Sequence, residues 1–153
     1  AGCSEEAPRQ EAPQTPATLA AGQYEASWTV DSLRSVDKAT PATNLKEKAA
    51  GTALGCVGPD GKFDLAIFAE DGDECQATNS YMRGGRISID VGCRRQGDKG
   101  EVRQSINGTY DAQGFKAEVG TTTYLAATGD YAMVRTIKAK RVGECAHSGQ
   151  VDP

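Results

Sequence analysis

Two runs of alternating apolar and polar residues flank the glycine pair at 84–85. The first run begins at Cys75 and the second ends at Cys93, and a period of two residues indicates paired strands. A three-residue loop at 83–85 is predicted, because it places Cys75 directly opposite Cys93, whereas a two-residue turn at 84–85 would pair Cys75 with Arg94. Opposed cysteines of an antiparallel pair are close enough to form a disulfide.

The predicted register divides the side chains of this hairpin between two faces. One face is mainly apolar and holds Cys75, Ala77, Tyr81, Ile87, Ile89, Val91 and Cys93. The other face is polar and holds Gln76, Thr78, Ser80, Arg86, Ser88 and Asp90. A sheet with one buried face follows from this division.

Alternation of the same kind marks further strands. Residues 101–123 predict a second hairpin, in which a four-residue turn at 111–114 brings Tyr110 opposite Phe115. The other predicted strands are residues 22–30, 50–57 and 131–141. Regularly spaced strands with turn signals between them predict an antiparallel β-meander.

The predicted fold class is all-β, with the meander curled into a barrel or half-barrel and two disulfides. One short helix is expected at about 63–69, where a brief apolar piece follows a turn. Residues 1–21 are rich in proline, glutamate and small residues, which predicts a disordered tether. The β domain is then assigned to 22–145, and 146–153 is expected to be a loose C-terminal tail.

Length and charge limit the classes of partner. The chain has 153 residues, enough for one domain. Its net charge of -4 argues against a nucleic-acid partner. No apolar run reaches the length of a membrane-spanning helix.

The chain contains five cysteines, and their spacing predicts an oxidising compartment. If Cys75 pairs with Cys93, then Cys56 and Cys145 remain as a second pair. No Cys-x-x-Cys motif occurs, so the spacing does not indicate a zinc site, and no metal is predicted. Disulfides in a chain of this size are typical of exported proteins.

Cys3 is the fifth cysteine, and it follows the small residues Ala1 and Gly2. This order resembles the end of a bacterial lipoprotein signal, the lipobox, so Cys3 is predicted to carry a lipid that anchors the protein to a membrane. Ser4 after the cysteine resembles the sorting signal of outer-membrane lipoproteins. The predicted location is therefore the cell envelope, on the outer membrane or in the periplasm. The alternative is an unmodified thiol in a tail.

Several motifs together resemble one family. They are Gly22-Gln23-Tyr24-Glu25, Cys56 before an acidic turn, the Cys75–Cys93 hairpin, Gly108-Thr109-Tyr110 and the ending Lys140-Arg141-Val142-Gly143-Glu144-Cys145. The chain resembles the domain of unknown function 3617 family of small exported proteins and lipoproteins from proteobacteria, and looks like its sphingomonad and related alphaproteobacterial members. The resemblance implies export and a β-fold. It implies no established activity and no catalytic residues.

Residue types suited to catalysis are sparse. His147 is the sole histidine and lies in the predicted tail, where a base cannot be held in position. Asp71, Asp73 and Glu74 form an acidic turn that lacks the ligand spacing of a calcium loop. The protein is therefore expected not to be an enzyme, and no cofactor is predicted.

Two groups of residues are candidates for binding. Basic residues are expected to cluster around one end of the hairpins, as a solvated edge or as a patch for an acidic partner or a lipid headgroup: Arg83, Arg86, Arg94, Arg95, Lys99 and Arg103. Aromatic side chains are expected to point inward, as core or as the lining of a cavity for an apolar ligand: Tyr24, Trp28, Tyr81, Tyr110 and Phe115.

The function expected from these features is a non-enzymatic envelope lipoprotein that binds another envelope protein, as an accessory or an inhibitor module. The alternative is a β-barrel that carries a small apolar ligand or lipid. An exposed apolar patch rimmed by charge would favour the first, and an internal cavity would favour the second.

Overall fold

The computed structural model describes residues 19–145, which form seven strands. The strands are β1 (Gly22–Ser35), β2 (Ala50–Val57), β3 (Asp73–Arg83), β4 (Arg86–Arg95), β5 (Glu101–Tyr110), β6 (Gly114–Tyr124) and β7 (Tyr131–Gly143). The only helical element among the described residues is a short 3-10 helix, Leu65–Ile67. The all-β prediction is confirmed, and the helix predicted near 63–69 is this single turn.

All seven strands belong to one antiparallel sheet in the order β2-β1-β7-β6-β5-β4-β3. Strand β1 pairs with β7, so the first long strand lies beside the last. β2 and β3 remain as the two edges, and the sheet curls into a half-barrel. The fold is thus the half-barrel form of the predicted meander.

The second predicted hairpin is present in the predicted register. Tyr110 lies opposite Phe115 on β5 and β6. The Asp111 carboxylate closes the turn, since its Oδ1 accepts hydrogen bonds from the backbone N–H groups of Gln113 at 2.7 Å and Gly114 at 3.1 Å. An aspartate that binds backbone groups a few residues ahead stabilises such turns.

The first hairpin differs from its prediction in one respect. Its turn has two residues, Gly84 and Gly85, with φ angles of 62° and 82°, and Arg83 lies opposite Arg86. Two consecutive positive φ angles define the turn that suits the strand twist and favours glycine at both positions. The predicted three-residue loop is therefore wrong.

Cys75 nevertheless lies opposite Cys93, because β3 contains a β-bulge. The register shifts between Ala77 and Asn79, which leaves Thr78 as an extra residue in the strand. A bulge places two residues of one strand opposite one residue of the other. It therefore shifts the register by the one residue that the shorter turn removes. The extra residue that the prediction placed in the loop is therefore Thr78, inside β3.

The bulge reverses the facing of the residues between it and the turn. Tyr81 lies opposite Ser88 on the outer face and is 46% exposed, so its predicted inward position is wrong. Met82 lies opposite Ile87 and packs against the core instead. On β4 the predicted inward positions are buried, as at Ile89.

The structure contains two disulfides. Cys75–Cys93 joins β3 to β4, with a Cα–Cα distance of 4.0 Å, and Cys56–Cys145 joins β2 to the end of the described chain, with a Cα–Cα distance of 5.6 Å. Strand β1 lies between β2 and β7 at this point, since Gln23 pairs with both Cys56 and Gly143. Cys145 lies two residues beyond Gly143, so the second bridge joins β2 to the segment that follows β7, next to the start of β1.

The 58–72 connection between β2 and β3 closes the open side of the half-barrel. Its Ile67 and Phe68 side chains are buried in the core. Phe63 packs edge-on against Phe68 and Phe115, with ring centroids 5.3 and 4.9 Å apart, and Tyr24 lies 6.0 Å from Phe115. These aromatic side chains form one contiguous part of a core that is otherwise mainly aliphatic.

The folded part begins before the predicted boundary at residue 22. Leu19 is 1% exposed and belongs to the core, and the Tyr24 hydroxyl donates to the Ala20 carbonyl at 2.7 Å. Residues 19–21, predicted as the end of the tether, therefore pack on the domain. The rest of the predicted tether and the tail at 146–153 lie outside the described residues.

The bulge makes the neighbours Tyr81 and Met82 a test of register. We expect Met82→Ala to lower the free energy of unfolding by about 1–2 kcal/mol, because a half-buried methionine loses part of the usual core value. Tyr81→Ala should change it by less than about 0.5 kcal/mol, as an exposed site does. Urea unfolding of both variants measures this difference. The reverse order would indicate the three-residue loop and contradict the bulge.

Candidate functional site

A cluster of buried charges lies where β4 ends and β3 begins, and the Arg95 side chain is its centre. Its Nε and Nη2 donate to Asp73 Oδ1 at 2.8 Å and Oδ2 at 3.1 Å, a two-point pair between cross-strand neighbours. The Asp73 side chain is 0% exposed. Bidentate arginine–carboxylate pairs are among the strong hydrogen bonds of proteins.

Arg95 also joins this pair to β7, which lies three strands from β4 in the sheet. Its Nη2 donates to the Tyr131 hydroxyl on β7 at 2.8 Å, and that hydroxyl donates to Glu70 Oε2 at 2.6 Å. The Thr43 hydroxyl donates to Glu70 Oε1 at 2.5 Å, and Arg95 Nη1 donates to the Ala42 carbonyl at 2.5 Å. One guanidinium thus connects two strands, the 58–72 connection and the loop before β2.

The protonation states of this cluster are fixed by its surroundings. The hydrogen bond to Asp73 raises the pKa of Arg95 above its usual value, in spite of the opposing effect of burial. Burial, assisted by the negative charge of Glu70, raises the pKa of Tyr131 well above its usual value. At neutral pH Arg95 is therefore a cation and Tyr131 is a neutral donor.

A second buried arginine, Arg135 on β7, holds the same connection at another point. Its Nη2 donates to the Phe68 carbonyl at 2.5 Å, and Gln104 Nε2 on β5 donates to the same oxygen at 2.8 Å. Burial lowers the pKa of Arg135, opposed by the nearby Glu70 and Tyr131. Both side chains are buried in the inner face of the sheet.

Three buried polar atoms in this region have no hydrogen-bond partner among the described residues. They are Arg135 Nε, Gln104 Oε1 and Thr121 Oγ1. Thr121 lies directly opposite Gln104 on β6, so these atoms lie close to one another around the Phe68 carbonyl. Unsatisfied polar atoms in a native interior require an explanation, because each carries a desolvation penalty.

A cleft of about 600 Å³ lies beside these charges. It lies between the loop at 41–45 and the connection at 66–71, with Arg95 and Arg135 in its lining. Its wall combines apolar and polar side chains, among them Trp28, Thr43, Leu45, Ile67, Glu70 and Asp71. The volume lies within the range of small-molecule sites.

A groove crosses the outer face of β3–β6. A space of about 940 Å³ beside Tyr124 adjoins another of about 530 Å³, and both are lined by Thr78, Gly92, Glu101 and Tyr124. Gly92 lies in the groove between Thr78 and Glu101, where a Cβ would be in van der Waals contact with their nearest atoms, at 3.7 and 3.5 Å.

Tyr124 stands at the side of this groove and is 58% exposed. The Arg103 guanidinium lies over its ring, 5.9 Å from the centroid, and forms an ion pair with Glu101 at 3.3 Å. At the hairpin tip Arg83 lies 5.7 Å from the Tyr81 ring centroid in the same way. The outer face thus presents two exposed tyrosines, each covered by an arginine.

The structure separates the basic residues that were expected to form one cluster. Arg94 and Lys99 line the groove beside Tyr124, and Arg103 lies there too. Arg83 and Arg86 oppose each other at the hairpin turn, roughly 30 Å from the other end of β4 at the usual rise per residue. Arg95 points into the interior. One end of β4 therefore carries the larger basic group.

The other candidate residues have separate positions. Asp73 is committed to Arg95, and no group of three or more potential metal ligands occurs among residues 19–145. Tyr24, Tyr110 and Phe115 are buried, and Trp28 is half-buried. Cys3 and His147 lie outside the described residues. No helix in the described part of the chain has the length and apolar character needed to cross a membrane.

Sequence reasoning missed Arg135, Gln104 and Tyr131. Arg135 follows Tyr131 and Met133 at every second position of β7, and all three are buried. A charged residue on an otherwise apolar strand face was a signal for a buried polar site. Gln104 gave the same signal on β5, between Val102 and Ile106.

Comparison with known proteins identifies a family. A family model described as "Protein of unknown function (DUF3617)" matches residues 19–145. The match covers all seven strands, both disulfides and the buried charged cluster. No curated protein and no solved structure matches the chain.

The buried pair of Arg95 and Asp73 should determine stability. We expect Arg95→Met to lower the free energy of unfolding by about 3–5 kcal/mol, because it leaves Asp73 buried without a counter-charge. Arg94→Met, at the exposed neighbouring position, should change it by less than about 0.5 kcal/mol. Urea unfolding provides the comparison.

A double variant separates the ion pair from general packing. Arg95→Met combined with Asp73→Asn removes the unpaired charge and should be more stable than Arg95→Met alone. Equal losses for Arg94→Met and Arg95→Met, or a double variant less stable than the single one, would contradict the role of the pair.

Proposed function

Because this chain belongs to the DUF3617 family, whose function is not established, its role must be inferred from its own surfaces, and we propose that it is a non-catalytic module that binds another protein. The observation that carries this proposal is the groove on the outer face of β3–β6, with the exposed Tyr124 and its stacked Arg103 at the side. Tyrosine and arginine are the residues that most often dominate the energy of protein interfaces.

The charge around the groove suits a protein partner. Arg94 and Lys99 line it together with Glu74 and Glu101. Mixed charges around an aromatic side chain favour a surface with complementary groups of both signs rather than a uniformly anionic surface. This supports a folded protein or an extended protein segment as the partner.

The groove is also built on a rigid base. Cys75 and Cys93 are among its lining residues, and their disulfide joins β3 to β4 on the core side of the sheet. The strands on both sides of Gly92 belong to the same continuous sheet. A surface that is ordered before contact loses little conformational entropy on binding. The bridge is therefore consistent with a docking surface as well as with a stable fold.

The interior favours this function over carriage of an apolar ligand inside the half-barrel. Phe63, Phe68 and Phe115 contact one another where such a ligand would lie. A carrier interior would instead leave a cavity lined by those rings. The carboxylates of Asp73 and Glu70, which a catalytic site would need free, are each bound within the charged cluster.

We place this module in the cell envelope as part of the same proposal. Two disulfides support an oxidising compartment. A lipid on Cys3, held by the tether before Leu19, would anchor the domain to the outer membrane. The proposal also includes export from the cytoplasm and the similarity of the motifs to those of sphingomonad members of the family.

The interface prediction concerns Tyr124 and Arg103. When the full chain is crosslinked in native membranes and purified, a protein partner should be recovered with it. The combined substitution Tyr124→Ala and Arg103→Ala should reduce that recovery at least about tenfold, since hot-spot residues contribute about 2 kcal/mol or more. Quantitative mass spectrometry of the captured proteins measures the change.

Leu54→Ala is the matched control, because Leu54 is an exposed apolar residue on the distant edge strand β2. It should leave recovery unchanged. Equal recovery by the double variant would refute the groove as the interface. Recovery of lipid or another small molecule alone, seen by native mass spectrometry, would favour the carrier function instead.

The anchor prediction concerns Cys3 and Ser4. The protein expressed with its native leader should fractionate with membranes, and its intact mass should include acyl chains. Cys3→Ser should release it into the soluble periplasmic fraction. Ser4→Asp should move it from outer to inner membranes in a host that keeps lipoproteins with aspartate after the lipidated cysteine in the inner membrane. A soluble wild-type protein of unmodified mass would refute the anchor.

A further inference from the structure

The Arg135 guanidinium has more hydrogen-bonding capacity than the described chain uses. An arginine side chain carries five N–H groups, and the one side-chain hydrogen bond that Arg135 makes with residues 19–145 goes from Nη2 to the Phe68 carbonyl. Its Nε has no partner, although the residue is only 2% exposed. None of the ion pairs among the described residues includes Arg135.

Nearby charges do not compensate Arg135 directly. Glu70 accepts hydrogen bonds from Tyr131 and Thr43 and lies 3.5 Å from Arg95, so its carboxylate is already engaged. A buried cation with no close counter-ion carries a large desolvation penalty. An anion that enters the adjoining cleft would supply the missing counter-charge.

We propose that the cleft between residues 41–45 and 66–71 binds a small organic carboxylate, whose negative group pairs with Arg135. The cleft has about 600 Å³ of space and Arg135 lies in its lining. A planar carboxylate matches the planar guanidinium in shape and charge.

The rest of the lining defines the body of the ligand. Trp28, Leu45 and Ile67 provide apolar surface, while Thr43 and Asn44 provide polar groups at the loop. A short aliphatic chain or a ring would bury apolar area against this wall. A carboxylate on an apolar body is offered both by a free medium-chain acid and by the C-terminus of an apolar peptide.

The acidic residues of the cleft limit the charge of the ligand. Glu70 and Asp71 line the same space as Arg135, and Arg95, the other arginine of the lining, is already bound to Asp73 and Glu70. A doubly charged phosphate monoester would be repelled by them more strongly than a singly charged carboxylate. The site is therefore assigned to monocarboxylates rather than to phosphates.

The position of Trp28 provides a direct test. It is the sole tryptophan of the chain and lies in the cleft wall, so its fluorescence reports on occupancy. Titration of the full chain with hexanoate should give a saturable change, and hexanamide, which has the same chain without the charge, should bind at least tenfold more weakly. N-acetyl-leucyl-leucine is titrated in parallel. Tighter binding of this dipeptide than of hexanoate would indicate a peptide C-terminus as the ligand, and tighter binding of hexanoate would indicate a free acid.

Two variants and a control assign the effect to Arg135. Arg135→Gln should weaken hexanoate binding at least tenfold, whereas Arg34→Gln, at an exposed arginine of β1 outside the cleft, should leave it unchanged. If Arg135→Gln does not fold, Ala53→Leu narrows the cleft and should weaken binding with the guanidinium intact. No saturable change up to about 10 mM hexanoate, equal binding of hexanamide, or tighter binding of hexyl phosphate would overturn the proposal.

Discussion

The half-barrel depends on the hydrogen bonds by which the half-buried Arg95 and the buried Arg135 hold the β2–β3 connection over the open side of the sheet. Arg95 anchors its end through Asp73 and Glu70, and Arg135, with Gln104, holds the Phe68 carbonyl. A seven-stranded sheet with two unpaired edges cannot cover its inner face with strands alone. The connection supplies the missing wall, and its aromatic residues complete the core.

The charged cluster and the outer groove use opposite faces of the same strand. Arg94 and Arg95 are neighbours on β4, yet Arg94 lines the groove and Arg95 points into the interior. Alternation along a strand makes this separation automatic. Substitutions on one face can therefore change binding without removing the contacts that close the half-barrel.

Much of the fold was predictable from the sequence, because alternation and turn residues act locally. The hairpin at 101–123 and the pairing of Cys75 with Cys93 followed from counting positions. The bulge at Thr78 did not, since a two-residue turn with one bulged residue gives the same cysteine pairing as a three-residue loop. The two turns differ in their backbone angles. Glycine at both turn positions favours the two-residue turn, and counting residues between the cysteines does not use this information.

The candidate site was less accessible to sequence reasoning. Alternation along β7 placed Arg135 on the inward-facing side of the strand. Its partner, however, is a backbone carbonyl of the 58–72 connection, whose path depends on the whole sheet. The predicted basic cluster was wrong in extent because proximity in sequence was taken for proximity in space, whereas β4 separates its ends. Groups joined by long-range packing leave no local pattern to read.

The Cys56–Cys145 bridge determines how a force applied at the N-terminal side would pass through the domain. The bridge closes the chain from Cys56 to Cys145 into a covalent loop that contains β3 to β7. A force applied between the N-terminal side and Cys145 passes directly through the sulfur atoms to Cys56. Such a force can lengthen only the part of the chain before Cys56, so the strands that carry the groove bear no tension along their backbone.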